Sequence, residues 1–176
     1  FLRFLEYVPP NIPIIVDEAY LEFSSLPETL RSHEVIPGTD RRVIGLRTFS
    51  KFYALASLRI GYGFARKETM RLFNRLEPLF ALSALSEAAA VAALSDEEHA
   101  TKTFENVTRE RSRIGAHLTA AGLRYYPSES NFMLVESPVS PERTYAAFEA
   151  EGVVIPRGAY KDRFVFLPIA DPATTA

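Results

Sequence analysis

Three short apolar runs, "IPIIV" at 12–16, "VIGLR" at 43–47 and "IGYGFA" at 60–65, constrain this chain more than any other feature. Each is apolar nearly throughout instead of alternating, the pattern of strands covered on both faces. Such strands need helices above and below them, and two helical stretches follow: "RKETMRLFNRLEPLF" at 66–80 and "LSALSEAAAVAAL" at 82–94, divided by Pro78. The alternation predicts an α/β fold, a mostly parallel sheet with crossover helices. From Asp96 to about Ala121 the chain holds no proline, which predicts a helix roughly 40 Å long, capped by Ser95–Asp96.

Beyond Gly122 the pattern changes. "LRYY", a Pro-Ser-Glu-Ser turn, "NFMLV", a helix opened by "SPER", then "GVVIP" and "RFVFL" read as strand, strand, helix, strand, strand, a small α+β domain. The expected division is 1–110 and 111–176, with the boundary inside the helix 96–122. The first residues, "FLRFLEYVPP", read as a helix end with Phe1, Leu2 and Leu5 on one side, stopped by Pro9–Pro10. That start, without methionine, and the Pro, Ala and Thr tail lead us to expect part of a longer chain.

Composition narrows the classes. Of 176 residues, 47% are hydrophobic and 24% charged, as in globular domains. The net charge of -2 gives no reason to expect nucleic acid or an anionic membrane as partner. Without cysteine, disulfides and thiolate metal sites are excluded. His33, His99 and His117 lie far apart, read as surface or helix-packing residues, and no metal is expected. No apolar run is long enough for a membrane span, so a cytoplasmic protein is the default expectation. Phe73, Phe80, Phe104 and Phe148 are expected in the core.

Two stretches carry chemistry. In "IIVDEAYLEF" (14–23), Asp17 directly follows a buried strand, at the sheet end where open α/β folds bind ligands. It could equally cap a turn, and Glu18 is the alternative acid. The second stretch, "RTFSKFYALASLRIGYGFA" (47–65), sets Thr48, Ser50, Lys51 and Arg59 after another strand. Thr48 and Ser50 also suit a turn, and Tyr20 suits an ordinary half-buried aromatic position. A buried, unpaired lysine is rare, which raises the question whether Lys51 is a nucleophile.

In this order, Asp-x-x-Tyr, Thr-x-Ser-Lys and Lys-x7-Arg-x-Gly resemble the aspartate aminotransferase superfamily, fold type I of the pyridoxal 5'-phosphate (PLP) enzymes, and most closely its histidinol-phosphate aminotransferase branch. "SESNFMLV" and "EGVVIPR" are similar to strands of that family's small domain. The resemblance implies a partial PLP-binding large domain followed by a small carboxyl-terminal domain, and transamination between an amino acid and a 2-oxo acid in a homodimer. It implies that Lys51 forms the Schiff base with PLP and carries the proton at the substrate α-carbon. Desolvation among Phe49, Phe52 and Leu55, with Arg59 nearby, would favour the neutral amine that both steps require. Asp17 would hold the pyridine proton, Tyr20 the ring oxygen, and Arg59, Thr48 and Ser50 the phosphate.

Departures from the family remain. The glycine-bearing phosphate loop, the aromatic that stacks on the ring and the asparagine on its oxygen have no counterpart in this sequence, so the isolated chain is expected to be inactive. The family clamps the substrate carboxylate with a small-domain arginine in an Arg-apolar-Thr/Ser-apolar-Gly strand. "RFVFLP" keeps Arg163 without the Thr or Gly; Arg157 is the second candidate. The apolar "EPLFALSALSEAA" hints at an aromatic or aliphatic substrate. Two other readings share these motifs: a PLP-dependent decarboxylase of a phosphorylated amino acid, and a non-catalytic sensor or interaction module.

Overall fold

The computed structural model describes residues 1–27, 29, 31–73, 75, 81–157 and 163–169. They form two units, Phe1–Glu22 with Leu26–Ala100, and Phe23–Ser25 with Thr101–Ala176.

The first unit is built on β1 (Ile14–Asp17), β2 (Val43–Thr48) and β3 (Gly61–Ala65), in that order across the sheet. β1 runs parallel to β2, with Ile14 opposite Val43 and Asp17 opposite Leu46. Residues 18–42 make that crossover and include the short helix α2 (Ser32–Val35). β3 departs from the expected parallel pattern: it is antiparallel to β2, with Ile44 opposite Ala65 and Thr48 opposite Gly61. The physical reason is the connection, since residues 49–60 contain only a single-turn helix, Ala56–Leu58. A parallel return needs a full crossover, usually helical.

Helix α1 (Leu2–Tyr7) ends as Val8 turns extended ahead of Pro9, as residues before proline do. Only Leu5 of the expected apolar face is buried; Phe1 and Leu2 are exposed. Leu5 packs with Ile14, Val35, Ile36 and Val43. Gly45 lets α2 approach β2, because a Cβ there would stand 2.3 Å from both the Phe64 ring and Ser32 Oγ. Helix α3 (Lys67–Phe73) takes the first half of the expected 66–80 helix; residues 74 and 76–80, Phe80 among them, lie outside the described residues. Helix α4 (Ala84–Ser95) is capped by Ser83, whose Oγ accepts from Ser86 N–H.

Helix α5 (Glu97–Ala120) spans about 36 Å at ~1.5 Å per residue, and Asp96 caps it by accepting from His99 N–H at 2.9 Å. Gly122 follows at φ 68°, a conformation glycine adopts without strain. Phe104 is half-buried rather than a core residue, and Phe73 is exposed.

The second unit holds an antiparallel sheet of β4 (Tyr125–Tyr126), β5 (Phe132–Glu136) and β6 (Phe164–Pro168), with helix α6 (Pro141–Ala150) between the last two. Met133, Val135, Tyr145, Ile155, Val165 and Ile169 form its core; Val107, Ile114, Leu118 and Phe148 pack against it. The expected strand at 152–156 does not form. Ile155 is buried and Val154 is 82% exposed, so the apolar alternation there serves packing without ladder pairing. Among the described residues no helix is long and apolar enough to cross a membrane.

Candidate functional site

Two parallel strands end side by side in the first unit, and their ends carry the polar residues singled out in the sequence. Asp17 is the last residue of β1 and Thr48 the last of β2. The ladder continues one step further, with Glu18 N–H donating to Leu46 O at 2.9 Å. A cleft of about 340 Å³ opens there, lined by Asp17, Ala19, Thr48, Ser50, Lys51 and Arg59.

The turn 49–60 brings the cation and hydroxyl groups in. It is closed at its base by Phe49 N–H donating to Ile60 O at 3.1 Å, and across its middle by Leu55 N–H donating to Phe49 O at 3.0 Å. The Thr48 hydroxyl braces it, donating to Ile60 O at 3.2 Å and accepting from Ser50 N–H at 3.0 Å. Thr48 therefore does the turn's work at the cleft edge, while Ser50 faces the cleft with Lys51. Beneath the turn, Phe49, Ile60 and Ala90 of α4 form a small core, and Ser86 Oγ of α4 donates to Leu58 O at 3.1 Å.

Two residues hold left-handed backbone conformations in this turn: Ala54 at φ 56° and Arg59 at φ 53°. Neither is glycine, and such positions persist only where the surroundings impose them. At Arg59 the left-handed kink carries the guanidinium into the cleft lining, with Nη1 donating to Ala56 O at 2.9 Å.

The expected desolvation of Lys51 is not found. Phe49 and Phe52 are buried, packing against Tyr53 at ring distances of 5.1 and 5.4 Å, the first tilted and the second edge-to-face, but Lys51 is exposed. Lys51 Nζ lies 5.7 Å from the Tyr20 ring centroid, within the range of a cation–π contact. Asp17 is exposed as well, and its Oδ1 accepts from Ala19 N–H at 3.0 Å.

Between the two neighbouring acids the pleat decides. Successive strand residues face opposite sides, so Asp17 faces the cleft and Glu18 turns inward, 5% exposed. There Glu18 accepts from Ser32 N–H and from Arg47 Nε, the latter at 2.9 Å. Burial by itself would raise the Glu18 carboxyl; the hydrogen bonds from Ser32 and Arg47 outweigh it and hold the group below the usual carboxylate range. Arg47 is further placed by His33 Nδ1 at 3.3 Å and by the Phe64 ring at 5.6 Å. Glu22 has the opposite balance: burial pushes its carboxyl up, and Oε2 has no hydrogen-bond partner among the described residues. The Glu18–Arg47 pair was missed in the sequence, although strand alternation from Asp17 would have shown which way Glu18 points.

In the second unit both arginine candidates hold carboxylates. Arg163 precedes β6, and its Nη2 lies 3.3 Å from Glu136 Oε1, while Arg124 Nε lies 2.8 Å from Glu136 Oε2. Arg157 Nη2 donates to Glu149 Oε1 at 2.6 Å, and its guanidinium sits 5.6 Å from the Tyr145 ring centroid.

Residues 3–162 match the family described as aminotransferase class I and II. The chain belongs to that family. Among its class I and II relatives, the histidinol-phosphate aminotransferase of Staphylococcus saprophyticus is 40% identical over 155 residues, covering 86% of this chain and 42% of that protein. Histidinol-phosphate aminotransferase 2 of Carboxydothermus hydrogenoformans is 36% identical over 160 residues, 89% of this chain and 43% of that protein. The crystal structure of histidinol-phosphate aminotransferase from Sinorhizobium meliloti, in complex with pyridoxal-5'-phosphate, superposes with a TM-score of 0.82 at 30% identity, over 98% of this chain and 48% of that one. The chain thus spans less than half the length of these relatives, and its mixed α/β fold is that of a fold type I aminotransferase, as its motifs led us to expect.

Proposed function

We propose that this chain is part of a PLP-dependent aminotransferase that exchanges an amino group between an amino acid and a 2-oxo acid, with a substrate resembling histidinol phosphate or an aromatic or aliphatic amino acid. The observation that carries the reading is the meeting of one amine, one carboxylate, a serine hydroxyl and a guanidinium in the cleft at the ends of β1 and β2. That donor set fits PLP. The carboxylate stands at a strand end, the amine on the turn from the next strand, and the hydroxyl and guanidinium flank the amine.

Bound there, PLP would supply an electron sink for the carbanion formed at the substrate α-carbon. The residues of the chain do the rest. Asp17 would hold a proton on the ring nitrogen, which a neutral amide could not balance. Ser50 and Arg59 would hold the phosphate, Arg59 through its planar fork, with Thr48 shaping the turn that presents them. Lys51 would hold the cofactor through its Nζ and carry the proton at the substrate α-carbon, and Tyr20, already against the lysine, would hydrogen-bond the ring oxygen. In the second unit Arg163, and after it Arg157, are the proposed holders of the substrate carboxylate. Either guanidinium would exchange its present carboxylate, Glu136 or Glu149, for the substrate's. The reading includes a homodimer; Leu85, Val91 and Leu94, each more than 60% exposed on α4, offer apolar surface for a partner. The first unit then corresponds to part of the large domain and the second to the small one.

Borohydride reduction of the PLP-treated full-length protein tests this. The cofactor is expected to be fixed to Lys51, with no labelling in Lys51→Ala. Label recovered on Lys67 or Lys102 instead would remove Lys51, and the cleft with it, from the mechanism.

A further inference from the structure

At the opposite end of the same sheet stands a second polar cleft, and we propose that it binds the phosphate group of a small anionic metabolite. Arg41 and Arg42 directly precede β2, and Arg66 directly follows β3. Because β2 and β3 are antiparallel, with Ile44 opposite Ala65, the three arginines arrive side by side. Asp17 and Thr48 lie at the other ends of their strands, so the two clefts are separated by the length of the sheet. The cavity between the arginines has a volume of about 440 Å³, with Asp40, Glu68 and Thr69 completing its polar lining.

Three guanidinium groups face two carboxylates here, in a chain whose net charge is -2. The pairing inside the cleft is incomplete. Arg66 Nη1 is held by Thr39 O at 2.8 Å and Asp40 Oδ1 at 3.0 Å, which uses one of the two carboxylates. Arg41 Nη2 donates to Val8 O and to Pro9 O, so backbone carbonyls fix its orientation, yet its Nε is buried with no hydrogen-bond partner among the described residues. No carboxylate among the described residues balances the Arg41 charge, which therefore adds to the positive potential at the cleft. The Arg42 guanidinium, exposed at the rim, makes no ion pair among the described residues. Arg41 thus contributes a fixed charge, Arg42 an uncommitted fork, and Arg66 a guanidinium already held in place. Planar forks of this kind match phosphate oxygens in pairs. Glu68 opposes any anion and sets the limit on affinity, so millimolar binding of a lone phosphate is expected. The space left over accommodates the organic part of a phosphomonoester.

The proposal stands apart from the cofactor reading, and a single titration separates them. Inorganic phosphate, and in a parallel arm the phosphomonoester glycerol 2-phosphate, are added to the isotopically labelled full-length protein at constant ionic strength, with chloride as control. Saturable shifts are expected in the amide signals of Asp40–Val43 and Ala65–Thr69 and in the Nε–H signals of Arg42 and Arg66. Signals of Ser50, Lys51 and Arg59 report the other cleft separately. Arg42→Gln, a change at an exposed side chain, should weaken the first set about tenfold and leave the second unchanged. Tighter binding of glycerol 2-phosphate than of phosphate would identify a phosphorylated metabolite as the ligand; equal binding would identify the free ion. The proposal is overturned if chloride produces the same shifts, if neither anion moves the first set, or if Arg42→Gln binds as the parent does.

Discussion

At Ala54 a methyl group sits where backbone geometry favours glycine. The left-handed conformation at φ 56° costs an alanine roughly 1–2 kcal/mol, whereas glycine adds about 0.4–1 kcal/mol of freedom to the unfolded chain. Ala54→Gly is therefore expected to stabilise the first unit by roughly 0.5–1 kcal/mol on balance, read as a raised midpoint in urea unfolding; a lowered midpoint would mean that the methyl group is itself packed. Arg59 shares the conformation but not the remedy, because its side chain lines the cleft. Asp17 is the residue whose charge the proposed chemistry needs. Asp17→Asn in the full-length enzyme should lower turnover by several orders of magnitude while borohydride still labels Lys51, and near-normal turnover would take Asp17 out of the mechanism.

Between elements, the cleft depends on how α2 and β2 hold each other from the buried side. Gly45 admits the Phe64 ring and Ser32, and a Cβ at 2.3 Å from each would force them apart. Gly45→Ala is expected to cost about 1–3 kcal/mol as overpacking does, seen as a lower denaturation midpoint. The Glu18–Arg47 pair ties the strand end after Asp17 to the strand that carries Thr48. Removing one partner of a buried pair costs up to about 3–5 kcal/mol, so Glu18→Gln should destabilise within that limit, Arg47 being less buried than Glu18. Glu22 behaves oppositely. Its carboxyl is raised by burial, so the folded state favours the neutral form, and stability declines as pH rises from the unfolded value through the folded one. Glu22→Gln is expected to remove that decline and to raise the unfolding midpoint at neutral pH; an unchanged midpoint would show that the buried oxygen is reached by water.

For the whole molecule, acid is the condition that separates these contributions. Glu18 and, in the second unit, Glu129 are both held below the ordinary carboxylate range. Burial opposes this in each case, and the hydrogen bonds from Ser32 and Arg47, or from Ser25 with the charge of Arg111, prevail. Their stabilisation is fully present above the unfolded value of about 4.3 and is lost as pH falls through the lower folded values. Acid unfolding should begin below about pH 4, with Glu129→Gln flattening the acid limb of the second unit; an unaltered limb would assign it to other carboxylates. The alternation of apolar strands and helices was enough, by itself, to determine the α/β class, and the spacing of Asp17, Tyr20, Ser50, Lys51 and Arg59 to determine the family, because period and spacing are local properties of a chain. Four features were decided by tertiary structure alone. β3 turned antiparallel because residues 49–60 are too short for a crossover. The run at 152–156 packed Ile155 into the core without pairing. Lys51 stayed exposed because Phe49 and Phe52 pack toward α4 and Tyr53. The arginines before β2 and after β3 became neighbours only through that antiparallel pairing. Each depends on which groups meet across long sequence separations, and that is settled by packing and chain connection, not by the residues of any one segment.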